Sequence, residues 1–393
     1  VQAADETDAA AGPRLASALA RQWGGQVTTH RAFGTATWFQ PDQESIDFAT
    51  ARTETYSRPG ALPEVTPAVS ILADLSRRDF TLNTLAFRVD GEAFGDMLDP
   101  YQGQDDLAAR RVRVLHGLSF QHDPTRIFRG VRYEQRLGFS LSPETLNLIR
   151  PALAHIAAVS GERVRRELEL IFAEPQAAAM LARLAKLGVL EAVHPALAWN
   201  GDLAGHAAAL ADLPLPDWKV DETLVRDAAY LALLLAGAEP AAAAEALERL
   251  AASRDLESAV LGAHTLRLTT SRPSEAAAVL DRLPAAAVAA AAIVRPELRG
   301  LLEQYLTEWR FIRPALNGDD LLALGLTPSP AFKHWLGQLR AARLDGAGLD
   351  RAGELALVQQ WARLEKQARL EKQVGLEEQA RPDEQAGVEH KHD

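Results

Sequence analysis

The sequence predicts an α+β protein in which a strand-containing N-terminal part precedes a long helical part. Short runs rich in β-branched and aromatic residues occur only before about residue 115. From about residue 121 onward, prolines separate segments rich in alanine and leucine, which is typical of consecutive helices. Strands followed by helices, rather than alternating with them, indicate segregated elements.

Within the N-terminal part, residues 15–23 read as a helix that ends at Gly24-Gly25. Three segments have the composition of strands: 26–29, 35–39 and 45–50. Prolines and a glycine predict that 57–68 is a loop. Two further segments complete this part: a short helix leading into a strand over 80–89, and a short strand over 111–115.

The helical part ends in a segment of different character. Arg363-Leu364-Glu365-Lys366-Gln367-Ala368 is followed by a near copy and then by two degraded copies. A period of six residues matches neither the α-helix nor the coiled coil, so the leucines cannot form one seam. We therefore expect a solvated helix or a disordered appendage, with coiled-coil pairing as the alternative. The predicted division of the chain is 1–115, 116–175, 176–310, 311–362 and 363–393.

Composition excludes several classes of site. The 393 residues contain no cysteine, which excludes disulfides and thiolate metal sites and agrees with a cytoplasmic protein. No run of 18 apolar residues is present, so we expect no membrane association. The net charge of −11 argues against indiscriminate nucleic-acid binding, yet seven arginines lie between 110 and 136. A local basic cleft in an acidic protein suits the recognition of one nucleic-acid end.

Four of these arginines are spaced as on one side of a helix. They are Arg126, Arg129, Arg132 and Arg136. At ~100° per residue, the apolar Ile127, Phe128 and Val131 fall on the opposite side. Such a helix suits a polyanion such as a nucleoside triphosphate, although a solvated face with scattered ion pairs is the alternative.

Asp123 and Arg126 stand one helical turn apart and could meet the edge of a base. Cytosine and adenine both present an amino donor beside a ring-nitrogen acceptor, which a carboxylate and a guanidinium would pair with. Uracil and guanine present a carbonyl and a ring N–H instead, and would leave both side chains unpaired. The alternative role for Asp123 is to cap the arginine helix.

The motifs around these residues resemble those of class II tRNA nucleotidyltransferases, the CCA-adding enzymes and the related bacterial poly(A) polymerases. The matching segments, in order, are Phe33-Gly34-Thr35-Ala36, Asp47-Phe48-Ala49-Thr50, Arg77-Arg78-Asp79-Phe80-Thr81-Leu82-Asn83, Asp99-Pro100, Asp123-Pro124-Thr125-Arg126, Arg136-Leu137-Gly138-Phe139, Ser160-Gly161-Glu162-Arg163, Asn317-Gly318-Asp319-Asp320-Leu321 and Leu344-Asp345-Gly346. The resemblance implies a nucleotidyltransferase head with a small β-sheet, followed by an all-helical neck, body and tail. Where the family usually has Glu-Asp, this chain has His122-Asp123.

The resemblance also implies roles for single residues. Asp123 and Arg126 would serve as the protein template for C and A, with Arg129 and Arg132 contacting the triphosphate or stacking on the base. Asp79 would accept a ribose hydroxyl, Arg78 would meet phosphate, and Asn83 would bind the sugar or phosphate. Internal pairing of Asp79 with Arg77 or Arg78 is the alternative.

A metal role follows for Asp47. An alternating strand would point its carboxylate away from the Ile46 and Phe48 side. Nucleotidyl transfer uses two Mg²⁺ ions, and the resemblance makes Asp47 a third carboxylate ligand and catalytic residue. A solvated strand residue is the alternative.

Two motifs of the family do not occur between Val1 and Asp393: the Gly-Gly-x-Val-Arg-Asp loop and the Asp-x-Asp pair. Because residues 1–5 resemble the stretch that follows the Asp-x-Asp strand, we expect an upstream segment to carry them. The predicted function is transfer of all or part of CCA to the 3′ end of tRNA from CTP and ATP, with release of pyrophosphate. The alternatives are a poly(A) polymerase and a catalytically inactive RNA-binding relative.

Overall fold

The computed structural model describes residues 1, 8–30, 34–42, 44–68, 70–199, 201, 203–210 and 213–379. Three parts of the sequence predictions lie outside this range: residues 2–5, Phe33 of one quoted motif, and residues 380–393 of the repetitive appendage.

All but the last of the described strands lie before residue 115, as predicted. Those of the described residues are β1 (Gln26–His30), β2 (Thr35–Phe39), β3 (Ser45–Ala49), β4 (Arg52–Thr55), β5 (Glu64–Pro67), β6 (Ala86–Phe87), β7 (Met97–Leu98), β8 (Arg111–Val112) and β9 (Ser140–Leu141). Strands β1, β2 and β3 form an antiparallel sheet in that order, and β4–β5 and β6–β7 are antiparallel pairs.

The remainder is helical, which confirms the α+β prediction. The helices of the described residues are α1 (Ala11–Trp23), α2 (Ile71–Ser76), α3 (Gly103–Ala108), α4 (Ser119–His122), α5 (Thr125–Leu137), α6 (Pro143–Ala152), α7 (Gly161–Phe172), α8 (Ala177–Lys186), α9 (Val189–Val193), α10 (Leu203–Ala209), α11 (Glu222–Leu234), α12 (Pro240–Arg249), α13 (Arg254–Thr265), α14 (Pro273–Leu280), α15 (Ala285–Val294), α16 (Arg299–Thr307), α17 (Gly318–Ala323), α18 (Pro330–Leu344) and α19 (Arg351–Gln379). Single 3₁₀ turns follow Phe80 and Ala152.

The three-stranded sheet packs on α1 through a small apolar cluster centred on Ala16, Ala36 and Trp38. Helix α1 begins four residues earlier than predicted, because Pro13 is compatible with a first helical turn. The connection to β1 requires glycine at Gly25, where φ is +91° and a Cβ atom would lie 2.2 Å from the Phe39 carbonyl oxygen.

Two sequence predictions of local structure were wrong. The predicted loop 57–68 contains β5, which pairs with β4 in the register Arg52↔Pro67. Pro67 is compatible with this ribbon, because a strand residue whose N–H faces the unpaired edge of a sheet needs no donor there. The part after residue 121 is not entirely helical either, since β9 pairs in parallel with β8. The Ser140 and Ser142 amides make this short pairing by donating to the Arg110 and Val112 carbonyls, each at 3.0 Å.

Helix α5 is the element that joins the head to the helical part. Ile127, Phe128 and Val131 are buried in the main apolar core, as the sequence predicted. Beyond it, α11, α13 and α15 pack against one another, and α15 has a nearly continuous buried surface of small residues. Gly262 allows α13 and α15 to approach closely, because a Cβ atom there would lie 2.7 Å from that of Ala287.

In the described ranges no single helix has both the length and the apolar composition needed to span a bilayer. Helices α14 and α15 reach that length only together, and they are bent by 113° relative to each other.

Helices α17, α18 and α19 surround a second apolar cluster that includes Leu321, Trp335 and Val358. Glu354 is fully buried beneath it, accepts a hydrogen bond from the Leu316 amide at 3.0 Å and pairs with Arg343. The first repeat of the appendage continues α19 as a helix, and most of its side chains are exposed. The described part of the repeat therefore agrees with a solvated helix.

Deletion of residues 366–393 is expected to change neither the melting temperature nor the affinity for tRNA, because the α17–α19 cluster ends at Ala362. Residues 351–393 are also acidic on balance and should not attract RNA. Deletion from residue 317 removes the whole cluster and is expected to reduce both. Thermal unfolding and a tRNA titration measure the two effects, and a tenfold loss of affinity in the shorter deletion would show that the appendage binds RNA.

Candidate nucleotide-binding site

A cavity of about 750 Å³ lies between the β4–β5 ribbon, the segment after α2, and helices α5 and α7. Its lining residues are mostly charged: Arg52, Glu54, Tyr56, Pro63, Arg77, Arg78, Asp79, Asn83, Asp123, Thr125, Arg126, Arg129, Tyr133, Glu162, Arg163, Arg166 and Glu167. Seven arginines against five carboxylates give this cavity a positive balance that suits a triphosphate. The structure thus brings together six predicted residues: Arg78, Asp79, Asn83, Asp123, Arg126 and Arg129.

Asp79 is held by donors from two elements. Its Oδ1 accepts from its neighbour's amide, Phe80 N–H, at 3.0 Å and from Asn83 Nδ2 at 2.7 Å. Its Oδ2 accepts from Arg129 Nε at 2.7 Å, and Arg129 Nη2 lies 2.6 Å from the same oxygen as an ion-pair contact. The predicted alternative of an internal ion pair is therefore observed with a different partner, Arg129.

Arg77 and Arg78 bind Asp74 instead, a residue that the sequence analysis did not single out. Asp74 Oδ1 accepts from Arg77 Nη2 at 2.7 Å, and Oδ2 accepts from Arg78 Nη2 at 2.9 Å. Arg77 is mostly buried and also pairs with Glu54, whereas the Arg78 side chain is 40% exposed. Arg78 is therefore the one of the two with a surface available for a phosphate.

Replacing Asp74 with asparagine is expected to destabilise the fold by about 3 kcal/mol at neutral pH, because it leaves two guanidiniums without their buried partner. Burial alone would raise the pKa of Asp74, but Arg77 and Arg78 outweigh it and lower the pKa. The contribution of Asp74 to the free energy of unfolding is therefore fully present above the unfolded-state pKa of about 3.9. It is lost as the pH falls through the lower pKa that Asp74 has in the folded state.

Urea unfolding of the wild type and of Asp74→Asn between pH 7 and pH 3 measures the difference in their free energies of unfolding. We expect the two free energies of unfolding to converge only at the acidic end. Equal stabilities at pH 7 would contradict the role assigned to Asp74.

One oxygen of the Asp123 carboxylate binds groups at the start of helix α5 and on helix α7. Its Oδ1 accepts from the Thr125 amide at 3.1 Å, the Thr125 hydroxyl at 2.7 Å and Arg163 Nη2 at 2.8 Å. The carboxylate therefore satisfies a free amide at the start of α5. Its other oxygen, Oδ2, accepts no hydrogen bond from the described part of the chain and is not buried.

Arg126 is only 6% exposed and connects three elements. Its Nη1 donates to Ser119 Oγ at 2.8 Å, and its Nη2 donates to the Arg77 carbonyl at 2.9 Å and toward the Tyr56 hydroxyl at 3.5 Å. The sequence analysis treated Arg126 as a ligand contact alone. The structure adds a structural role, because these bonds join α4 and α5 to the head.

Arg132 and Arg136 face away from the cavity. Successive steps of three residues each fall about 60° short of a full turn, so the arginines rotate around α5. Arg132 lies 3.5 Å from Glu167 and 3.8 Å from Glu174, and its side chain is 12% exposed. Arg136 pairs with Glu174 on the surface. The structure therefore does not bring Arg132 to the nucleotide cavity, contrary to the expectation for the arginine stripe.

Asp47 lies elsewhere in the head, on the exposed side of β3, where it accepts a hydrogen bond from Thr37 at 2.6 Å. Phe48 packs toward α1, as predicted, but Ile46 is 42% exposed. Across the described residues, no three or more His, Cys, Asp or Glu side chains are grouped to hold a metal ion. These residues alone therefore do not fit the Mg²⁺ site that the resemblance implied.

The sequence analysis missed Tyr56, which stacks on His122 with ring centroids 5.2 Å apart. Burial raises the pKa of Tyr56 to about 12, and burial lowers the pKa of His122. One signal was available, because alternation along a strand places Arg52, Glu54 and Tyr56 on the same side.

Two family models match parts of this chain. Residues 2–113 match the poly A polymerase head domain, and residues 138–200 match the probable RNA and SrmB-binding site of polymerase A. The A-adding tRNA nucleotidyltransferase of Halalkalibacterium halodurans is 31% identical over 81% of this chain and 74% of its own length. The CC-adding tRNA nucleotidyltransferase of Deinococcus radiodurans is 33% identical over 84% of this chain and 76% of its own length.

The chain belongs to the tRNA nucleotidyltransferase family. Another member of this family, the A-adding tRNA nucleotidyltransferase of Geobacter sulfurreducens, is 33% identical over 88% of the chain, which spans 42% of that relative's length. A CCA-adding enzyme in its apo form II has a similar structure, with a TM-score of 0.70 and 26% identity over 88% of this chain and 84% of the other. The Thermotoga maritima CCA-adding enzyme, solved in complex with tRNA, gives a TM-score of 0.62 and 25% identity over 89% and 84%.

Proposed function

We propose that the full-length protein transfers nucleotides from ATP, CTP or both to the 3′ end of tRNA in the cytoplasm. The tRNA 3′-hydroxyl attacks the α-phosphate, a new P–O bond forms, and the bond to the departing pyrophosphate breaks. The observation that carries this proposal is the cavity that places Asp123 and Arg126 beside Arg78, Asp79 and Arg129. Poly(A) polymerases share the head-domain match, but the relatives of this chain named above are tRNA nucleotidyltransferases.

The geometry of Asp123 and Arg126 supports base reading. Asp123 Oδ2 is unused by the described residues and can accept a hydrogen bond from the amino group of cytosine or adenine. Arg126 forms three of the five hydrogen bonds that a guanidinium can donate, which leaves donors for the ring nitrogen. Because Oδ1 and the other Arg126 donors are held by protein groups, the pair is already oriented before a base arrives.

The remaining cavity residues would hold the sugar and phosphates. Asp79 and Asn83 lie together and would contact the ribose, and the half-exposed Arg78 would contact phosphate. Arg129 binds Asp79 in the same cavity and would contact either the sugar or a phosphate. Arg166, whose side chain is 70% exposed, adds positive charge at the rim.

Mg²⁺ belongs to this proposal as the expected metal of nucleotidyl transfer. Asp47 remains a predicted catalytic and metal-binding residue on the exposed side of β3. Its carboxylate lies among threonines rather than among other ligands, so the described residues supply at most part of a site.

Incubation of full-length protein with tRNAs that end before C74, C75 or A76, plus each labelled nucleoside triphosphate, tests the function. The proposal predicts addition of C, A or both at the matching end, with UTP and GTP excluded. The A-adding and CC-adding relatives have similar sequence identities to this chain, 31% and 33%. The tRNA 3′ end that the protein extends therefore decides among A, CC and CCA addition. Long poly(A) products on any RNA would favour the poly(A) polymerase, and no product at any end would favour an inactive RNA-binding relative.

Replacing Asp79 with alanine is expected to lower the preference for ATP over dATP by about tenfold, because the carboxylate would no longer accept from the 2′-hydroxyl. Competition between ATP and dATP in the extension assay measures the ratio. An unchanged ratio with activity preserved would make Asp79 only the structural partner of Arg129.

A further inference from the structure

The Asp79 carboxylate has no acceptor capacity to spare in this structure. Its Oδ1 accepts two hydrogen bonds, and its Oδ2 accepts one from Arg129 Nε and lies 2.6 Å from Arg129 Nη2. A carboxylate offers about four acceptor positions, so N–H groups already occupy the space around both oxygens. A ribose hydroxyl can therefore bind Asp79 well only if one of the present donors leaves. This step rests on the proposed function, in which Asp79 receives the ribose.

Arg129 is the donor that can leave. The Phe80 amide and Asn83 lie on the same short turn as Asp79 and are fixed to it by the chain. Arg129 comes from α5, fifty positions along the sequence, and its side chain is 37% exposed. Displacing it removes the Nε hydrogen bond and the Nη2 contact from Oδ2 at once.

Glu167 on α7 offers Arg129 another partner in the same cavity. The Glu167 side chain is 13% exposed, and its Oε2 atom is buried without a hydrogen-bond donor from the described residues. Its ion-pair partner Arg132 stands 3.5 Å away and has Nε and Nη1 buried without acceptors from the described residues. The Arg132–Glu167 contact is therefore an ion pair without a hydrogen bond. Glu167 Oε2 can still accept a hydrogen bond from another guanidinium.

Charge also favours the exchange. Both Arg129 and Glu167 line the cavity. Burial raises the pKa of Glu167, and Arg129 is the cation that counters this rise most, ahead of Arg132. A bond from Arg129 would lessen the cost of burying this carboxylate.

We infer that Glu167 is a second binding partner for the Arg129 guanidinium, which moves from Asp79 to Glu167 when a ribonucleotide enters. Glu167 is then a positioning residue: it acts on the sugar through Arg129 and Asp79 rather than by touching the ligand. It sets the selectivity for a ribose over a deoxyribose, because dATP lacks the 2′-hydroxyl, which is the group that needs Asp79 to be free.

The test is equilibrium binding of ATP and dATP to the full-length protein and to Glu167→Gln. In the variant Arg129 should stay on Asp79, so the affinity for ATP is expected to fall about tenfold while that for dATP changes little. Glu169→Gln is the matched control, because Glu169 lies on the same helix, pairs with Arg165 and Arg166, and is absent from the cavity lining. It should leave both affinities unchanged.

A second variant shows whether the effect passes through Arg129. In an Arg129→Gln background, adding Glu167→Gln should not alter the ATP to dATP ratio further. If Glu167→Gln does not fold, Glu167→Asp, which keeps the charge but withdraws it by one methylene, should reduce the ratio about threefold.

The outcomes separate the two proposals. If wild type does not distinguish ATP from dATP, or Asp79→Ala leaves the ratio unchanged, the ribose role in the proposed function fails. If Asp79→Ala abolishes discrimination but neither Glu167 variant changes it, the ribose role stands and the exchange with Glu167 is overturned. A Glu167 effect that persists in the Arg129→Gln background would likewise overturn it.

Discussion

Replacing Asp123 with asparagine is expected to shift nucleotide preference from ATP and CTP toward GTP and UTP. The Arg163 and Thr125 donors should hold the carbamoyl oxygen where Oδ1 now lies, which turns the amide NH₂ into the cavity at the place of Oδ2. There it would repel an amino group and donate to the carbonyl of uracil or guanine. A lost hydrogen bond to a charged group costs about 1.5–3 kcal/mol, so selectivity should change by roughly 10- to 150-fold.

Competition among the four labelled triphosphates on one truncated tRNA measures this change. Asp221→Asn is a suitable control, since Asp221 also accepts a hydrogen bond from a helix N-terminus, at α11, but does not line the cavity. Wild-type selectivity in Asp123→Asn would remove this carboxylate from the template.

Replacing Arg126 with alanine is expected to damage both selectivity and stability. The guanidinium is buried, and its removal leaves the Arg77 carbonyl and the Ser119 hydroxyl without their donor. We expect a loss of about 2–4 kcal/mol in the free energy of unfolding, from hydrogen bonds to a charged group and a polar cavity. The same change should abolish discrimination against UTP and GTP.

Urea unfolding and the four-nucleotide competition are the two measurements. Arg166→Ala provides the comparison for stability, because this arginine is mostly exposed and its ion pair is on the surface. If Arg126→Ala unfolds at the same urea concentration as wild type, the bonds to α4 and the head contribute nothing measurable.

Local patterns in the sequence were sufficient to predict the helices and strands whose apolar residues recur at a regular spacing. The apolar back of α5 and the strands β1 to β3 could be predicted because each depends on spacing within one short segment. Strand β5 and strand β9, which pairs with the predicted strand β8, could not be predicted, because each forms only through a partner strand that spacing does not reveal.

The candidate site shows the same limit more clearly. The motifs placed Asp79, Asp123 and Arg126 in one cavity, but no spacing rule says that Arg129 binds Asp79 or that Asp74 takes Arg77. The choice among ion-pair partners depends on how α5, α7 and the head pack. Spacing also did not predict that Arg132 lies beside Glu167 and Glu174 and is absent from the cavity lining. The stripe of arginines was treated as one surface, although its members point in different directions around the helix.

The central claim is that a protein carboxylate reads the amino group of the incoming base, and one nucleotide analogue tests it without any mutation. Purine riboside triphosphate is ATP without the 6-amino group. On a tRNA that ends before A76, the wild-type protein should use this analogue at least tenfold less efficiently than ATP, measured as kcat/KM. In Asp123→Ala the two should be used equally. Equal use of both nucleotides by the wild type, with GTP still excluded, would contradict the assignment of Asp123 to base reading.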